Sequence, residues 1–398
     1  MPAPISSARR TAFEILRLVE GGGYASDLLR SRTADLDSRD AALASEIVFG
    51  VLRFQGQLDY LIEHYSGKAA EKLDREVRLL LRMAIYQLRY LDRVPAHAAV
   101  SEAVELTRRA HKRSATGFVN SVLRKVDREP VAWPNRAVEL STPEWLLENW
   151  QRQFGPEGAA TIARAFLKPP ERYVRVPESR RGEAAALGLE PTDVPGCYRV
   201  VKGSAEGFRL QDISSQAVVG LLELEPGQTF LDLCAAPGNK TAQALETPVR
   251  AVAADIHRDK LAGMEDLDAA RVALDATRPL PFLRPFDRIL LDAPCSGTGT
   301  LGRNPEIKWR LQPGDLERHH RRQAQMLAQA LELLAPGGRL VYSTCSLEYE
   351  ENEQVVEEVL EAAPVAIQLD HMMRRIPGID PGDGFFAAVL TSKKPVDG

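Results

Sequence analysis

Between residue 5 and about residue 128, apolar positions recur every three or four residues, the spacing that lines one face of an α-helix. ARRTAFEILRLV, ALASEIVFGVLRFQGQLDYLIEHY, VRLLLRMAIYQLRYL, AVSEAVELTRRA and ATGFVNSVLRKV all carry it. The pattern lapses from Asp92 to Ala96 and resumes near His97, and no strand-like alternation competes with it. This predicts a compact all-α domain over residues 1–129. At Glu129-Pro130 the periodicity stops, and Trp133-Pro134-Asn135 reads as a linker. STPEWLLENWQRQF then predicts a helix with Ser141 or Thr142 as N-cap and Pro143 at its first position. Short strand-like pieces, YVRV and CYRVV, follow among Gly and Pro, so residues 130–210 are expected to form a small connecting α+β subdomain.

From about residue 211 the alternation changes. QTFLDLCAA, RAVAADI, DRILLDAPC and GGRLVYSTC are short apolar runs that end in polar or Gly/Pro-rich chain, with helical stretches such as SQAVVGLLEL and ERHHRRQAQMLAQALELL between some of them. Strands apolar on both faces and separated by helices indicate a doubly wound, Rossmann-like α/β sheet over residues 211–398. Ligands of such sheets sit beyond the carboxyl ends of the strands, so the polar residues there are the site candidates.

Four strand ends stand out. Thr229 to Thr241 runs from a strand ending near Asp232, through Cys234, Ala235, Ala236, Pro237, Gly238, Asn239 and Lys240, into a helix. Small residues let a ligand approach the backbone, and a helix start offers free N–H groups. The loop is neither G-x-G-x-x-G nor a Walker A loop, which leaves a nucleotide-like ligand without a triphosphate. Asp255 ends the next strand, where an acid commonly takes a ribose diol, although a surface Asp after a strand is the simpler alternative. RILLDAPCSGTGT delivers Asp292 to the same edge with Cys295 on the turn behind it, followed by Arg303-Asn304-Pro305-Glu306. GGRLVYSTCS then places Cys345 where a buried strand meets polar chain. If these two strands are neighbours, both thiols can reach one substrate.

Composition narrows what the four cysteines, Cys197, Cys234, Cys295 and Cys345, can be. No apolar run approaches the ~20 residues of a membrane span, and the start lacks a signal-peptide core. The chain therefore reads as cytoplasmic, where a disulfide framework is not expected. No C-x-x-C spacing occurs, so no metal site is expected either. The net charge of −4 argues against a general polycation for nucleic acid. Local basic stretches remain, RRAHKR at 108–113, Arg124-Lys125 and RHHRR at 318–322, and each fits an RNA-facing patch or a solvated helix face equally well.

DLCAAPGNKT, DAPCSGTG, STCS with the downstream EEN, and the terminal GFFAAVL resemble the S-adenosylmethionine-dependent RNA cytosine-C5 methyltransferases of the NOL1/NOP2/Sun group. VFGVLRFQGQLDYLI, YLDRVPAHAAVSEAVEL and GFVNSVLRKV resemble the NusB-like domain of its bacterial RsmB/Sun branch. The likeness spans nearly the whole chain, with its motifs in family order. It implies a NusB-like RNA-binding domain followed by a methyltransferase domain, S-adenosyl-L-methionine as cofactor, and a monomer acting on a cytosine of 16S ribosomal RNA, free or in a small-subunit assembly particle. It assigns Cys345 as the nucleophile toward C6, Cys295 as the thiol that assists release, and Asp292 as the partner of the base, with Lys240 nearby. It also implies that the 234–240 loop, Asp255, Asp275 and Asp292 contact the cofactor, with Cys234 there for packing rather than catalysis. Two departures from the family pattern matter. Asn239 replaces the second glycine of the usual PGGK, which costs backbone freedom if that position needs a positive φ. The span from Asp255 to Asp275 is short for a helix and a strand, which implies a clipped helix and a partly open adenine pocket. The competing reading is a non-catalytic RNA-binding or antitermination-like protein with a degenerate methyltransferase domain, which would not need two thiols and Asp292. A nicotinamide-dependent dehydrogenase lacks its glycine fingerprint here.

Overall fold

The computed structural model describes residues 5–203, 205–363 and 366–393. The chain divides into two compact units. The first runs to Lys168 and also takes Leu301–Arg310; the second comprises Pro169–Thr300 and the chain from Leu311 onward.

The first unit begins with helices Ser7–Glu20, Ala25–Arg32, Ser38–Arg53, Gln55–Ser66, Arg75–Tyr90, Ala96–Arg109 and Thr116–Leu123. Their apolar faces meet in one core that includes Ile15, Ile47, Leu58, Leu61, Leu80 and Val119. Asp37 and Asp74 cap two of them by accepting the N–H groups two and three residues on, each worth about 1 kcal/mol. The segment that reads as one run from Ala42 to Tyr65 is two helices, broken at Phe54. Residues 130–168 belong to this unit rather than to a separate subdomain spanning 130–210. The reason is direct bonding: Gln57 Nε2 donates to Glu139 O at 2.5 Å, and Ser141 Oγ accepts the Gly56 N–H at 2.9 Å. Ser141 is therefore not a helix cap; the helix Glu144–Phe166 starts after Pro143, with no side-chain cap at its N-terminus.

Leu301–Arg310 is held by the ends of two of these helices. Glu306 Oε1 accepts the N–H of Ala25 at 2.8 Å, at the start of Ala25–Arg32. Lys308 Nζ donates to Arg53 O at 3.0 Å, and Trp309 Nε1 to Leu52 O at 2.7 Å. These satisfy carbonyls that the helix Ser38–Arg53 leaves open at its C-terminus.

The second unit opens with four short strands, β1 (Tyr173–Arg175), β2 (Glu190–Pro191), β3 (Cys197–Arg199) and β4 (Arg209–Leu210), in an antiparallel sheet of order β2-β3-β1-β4. A seven-stranded sheet follows, made of β5 (Thr229–Leu233), β6 (Arg250–Asp255), β7 (Ala269–Ala273), β8 (Phe286–Asp292), β9 (Leu334–Thr344), β10 (Ile367–Arg375) and β11 (Phe385–Ser392). Its order is β10-β11-β9-β8-β5-β6-β7. The five strands from β9 to β7 are parallel, and β11 and β10 add antiparallel at one edge.

Side chains of the central strands alternate between the two faces of the sheet. Leu231, Ile289, Leu291, Leu340 and Tyr342 pack on one face with Leu327, Ala330 and Val356 of the helices Pro313–Glu332 and Glu353–Ala362. Phe230, Leu290, Val341 and Val389 pack on the other with Val218 and Val219 of Ile213–Gly220. This two-sided burial is why the strands read as continuous apolar runs. It also leaves their carboxyl ends as the place where polar side chains gather.

Candidate active site

β5 carries Asp232, which is buried and accepts from Thr241 Oγ1 at 2.6 Å. The other carboxylate oxygen, Oδ1, is buried without a partner among the described residues. Burial, reinforced by Asp292 and Asp255 and opposed by Thr241 and Lys240, pushes this carboxyl up to about 7. After β5 the chain turns through Cys234, whose φ of 65° lies in the left-handed region that residues with a Cβ rarely enter. Gly238 takes φ 99°, and a Cβ there would lie 2.9 Å from Met264 Cε. Asn239 is the first residue of the helix Asn239–Ala244 and needs no positive φ. The expected backbone cost of replacing a glycine at 239 therefore does not arise, since the left-handed positions are one residue earlier and at Cys234.

A cavity of about 290 Å³ opens over the strand ends. Cys234, Ala236, Asp255, Asp275, Asp292, Cys295 and Cys345 line it, and Ala235, Pro237, Gly238, Asn239 and Lys240 are not among its walls. Ala235 spends its N–H on Ala254 O at 2.9 Å, and Asn239 borders a different hollow with Arg175 and Gln243. Asp255 accepts from the N–H of Ala236 (3.1 Å) and of His257 (2.8 Å), which fixes its carboxylate at the cavity edge. Asp275 accepts from the hydroxyl and N–H of Thr277, and these bonds hold its carboxyl below the usual range. The helix between them is short, Arg258–Ala262, yet β7 still forms as the sheet edge. Arg322, from the basic stretch at 318–322, also lines the cavity, a placement its sequence context does not reveal.

The parallel register of β8 and β9 sets Asp292 opposite Ser343. Ser343 Oγ donates to Asp292 Oδ1 at 2.8 Å, and Lys240 Nζ donates to Asp292 Oδ2 at 2.6 Å. Burial alone would lower the Lys240 ammonium, but Asp292, and then Cys345 and Asp232, outweigh it and raise it, so it stays charged. Beyond the strands, Cys295 Sγ lies 3.3 Å from Cys345 Sγ. Two backbone bonds hold the loops together: Ala293 N–H to Ser343 O at 2.8 Å, and Gly299 N–H to Cys345 O at 2.9 Å. The approach is close enough that a Cβ on Gly299 would sit 2.2 Å from Gly384 O and 2.8 Å from Cys345 O. The hydrogen bond with Cys345, then burial and the charges of Cys345, Glu351 and Asp292, raise the Cys295 thiol well above its ordinary value. Cys234 is raised as well, mainly by burial, whereas Cys197 is packed in the small sheet, its thiol pushed up to about 11 by burial.

Residues 219–391 match the family described as 16S rRNA methyltransferase RsmB/F, and residues 6–128 match the NusB family. Ribosomal RNA small subunit methyltransferase B of Klebsiella pneumoniae is 33% identical over 419 aligned positions, covering 96% of this chain and 96% of that protein. The chain belongs to this methyltransferase family. A probable ribosomal RNA small subunit methyltransferase B of Bacillus subtilis is likewise 33% identical, covering 90% of this chain and 89% of that protein. The crystal structure of PH0851 superposes with a TM-score of 0.81 at 24% identity, over 98% of this chain and 100% of that one, which shows the shared fold. As a member, the chain is an S-adenosylmethionine-dependent RNA methyltransferase with ribosomal RNA as its substrate. The cavity fits the cofactor chemically: three carboxylates, Asp255, Asp275 and Asp292, face a space to be filled by a sulfonium and an ammonium. No helix among the described residues is long and apolar enough to cross a membrane.

Proposed function

We propose that this enzyme methylates C5 of a cytosine in 16S ribosomal RNA, in the cytoplasm, through a covalent bond between Cys345 and C6 of the base. The observation that carries the reading is the thiol pair, two sulfurs 3.3 Å apart at the mouth of the cavity beside Asp292 and Lys240. RNA methylation at a nitrogen or a ribose oxygen has no need of two thiols, and neither does a degenerate RNA-binding protein.

When bound, S-adenosylmethionine supplies an electrophilic methyl group; Asp255 and Asp275 are the residues to hold its polar ends. Cytosine C5 is too weak a nucleophile to take that group unaided, and Cys345 corrects this. Cys345 enters as a thiolate, stabilised by the nearby Lys240 ammonium and by a hydrogen bond from the Cys295 thiol. As the Sγ–C6 bond forms, the electron pair of the C5–C6 double bond moves through C4 onto N3. N3 takes up a proton from solvent, Asp292 accepts a hydrogen bond from the resulting N3–H, and C5 becomes an enamine carbon. After C5 is methylated, its proton must leave and the Cys345–C6 bond must break. Cys295 suits this stage. The foremost cause that keeps it protonated is its bond with Cys345, and that cause is gone while Cys345 is tied up as a thioether. Cys295 then gives its proton to solvent and, as a thiolate, takes the proton from C5; the C5–H electron pair re-forms the C5–C6 double bond and expels Cys345 as a thiolate.

The test is transfer of labelled methyl groups to unmodified small-subunit RNA, offered free and in particles. Cys345→Ala is expected to abolish transfer, and Cys295→Ala to accumulate a protein–RNA adduct that survives denaturing electrophoresis. Full activity in Cys345→Ala would overturn the proposal, and so would a methyl group found anywhere but C5.

A further inference from the structure

Two serines follow the two thiols directly, Ser296 after Cys295 and Ser346 after Cys345, and one carboxylate binds both. Glu351 is fully buried. Its Oε1 accepts the Ser296 N–H at 2.8 Å and Gln323 Nε2 at 3.1 Å. Its Oε2 accepts the Ser346 hydroxyl at 2.6 Å and the Ser296 hydroxyl in a short bond. The hydroxyls are themselves 3.2 Å apart, and Thr298 Oγ1 adds a contact to Ser346 Oγ at 3.3 Å. Asn352 secures the second loop from behind, donating to Ser346 O at 3.0 Å and accepting from Thr344 Oγ1 at 2.5 Å. The backbone carbonyl of Glu351 accepts Tyr342 OH at 2.6 Å, which ties its turn to β9. The other groups facing it are Gln323 and, 3.9 Å away, His319.

We infer that Glu351 is a positioning residue that holds the two thiol-bearing loops in register with each other, one carboxylate oxygen anchoring the backbone after Cys295 and the other joining the two serine hydroxyls. Burying a carboxylate with no cation bonded to it is costly, and here four donors from three residues offset that cost. Glu351 touches neither sulfur. It acts on their separation, which is the quantity that a base bound between them depends on. The inference rests on the two-thiol reading of the site, yet its geometry is testable without methyl transfer.

The experiment uses the full chain and mild oxidation by diamide, which takes two electrons and two protons from a pair of thiols to leave a disulfide. The Cys295–Cys345 linked peptide is quantified against time by mass spectrometry. Glu351→Ala should slow its formation about 10-fold or more and lower kcat about 100-fold, since a misplacement of about 1 Å costs that much. Affinity for S-adenosylmethionine, measured by calorimetry, should stay within about twofold of the wild type. Glu351→Gln distinguishes position from charge. Its carbonyl can take the place of Oε1, and the serine hydroxyls can turn to accept from its amide, so linkage should proceed at nearly the wild-type rate. Linkage in Glu351→Ala at the wild-type rate would overturn the inference, and so would a Gln variant as slow as the Ala variant. Should Glu351→Ala fail to fold, Ser346→Ala carries the same expectation of slowed linkage, and wild-type linkage there overturns it equally. If the cytosine reading fails while linkage behaves as described, the positioning role stands apart from it.

Discussion

Asp232 is an acid inside a largely apolar strand, and replacing it with Asn should remove part of the pH dependence of stability. Its carboxyl is buried, bonded among the described residues only through Oδ2 to Thr241, and held at about 7 instead of its ordinary 3.8. Between these two values the folded chain keeps a proton that the unfolded chain has released. Stability therefore falls as pH rises through that window, at about 1.4 kcal/mol for each pH unit, and levels off above 7. From pH 5.5 to pH 8 the loss assigned to this one group is about 2 kcal/mol. Asn at 232 does not titrate. Its amide can accept from Thr241 and leave its NH2 where Oδ1 is now unpartnered, at a cost of about 1–3 kcal/mol that does not change with pH. The stability of Asp232→Asn relative to wild type should thus improve by about 2 kcal/mol between pH 5.5 and pH 8. The chain offers separate reporters for its two units: all four tryptophans lie in the first and all four cysteines in the second. Urea unfolding followed by pulsed thiol labelling reads the unit that contains Asp232, while tryptophan emission of the same samples should show no difference between the two proteins. A stability difference that stays level across this pH range would refute the buried, proton-holding state of Asp232.

Lys308 should show the opposite sign in the other unit. Burial, and then the charge of Arg53, lower its ammonium from 10.5 to about 7, so above pH 7 the unfolded chain binds the extra proton and stability rises with pH. Lys308→Met removes that rise, and its stability relative to wild type, read by tryptophan emission, should decline by roughly 2–3 kcal/mol from pH 7 to pH 9. Gly299→Ala places a Cβ 2.2 Å from Gly384 O and should force the thiol loops apart. Methyl transfer should fall about 100-fold, with S-adenosylmethionine affinity, measured by calorimetry, nearly retained.

Much of this site was legible because strand ends are local. A run such as DRILLDAPC shows where a buried strand stops, and in a parallel sheet each such stop faces the ligand edge. Asp255, Asp292, Cys295 and Cys345 were found that way and share one cavity. The Thr229–Thr241 loop was less legible, because its left-handed turns at Cys234 and Gly238 decide which side chains look inward, and spacing does not encode that. Asn239 consequently faces away while its neighbour Lys240 reaches Asp292. The affiliation of Leu301–Arg310 with the helical unit was not legible at all. It depends on Lys308, Trp309 and Glu306 meeting helix ends more than 240 residues earlier in the chain, bonds that leave no periodic trace.

The pairing of the thiols depends less on either cysteine motif than on the register between two strands. Asp292 and Ser343 are partners, with Cys295 three residues past the first and Cys345 two residues past the second. The loop through Ala293, Pro294 and Cys295 absorbs the odd residue. A slip of one residue would carry Cys345 about 3.3 Å along the strand and turn its side chain to the opposite face. It would also break the Ser343–Asp292 bond and move Ser346 off Glu351. Tyr342, whose ring is fully buried and whose hydroxyl is bonded to Glu351 O, cannot follow such a slip without entering the other core. The apolar alternation of β9 and the polar network at its end therefore enforce the same register, and the distance between the two sulfurs follows from that agreement.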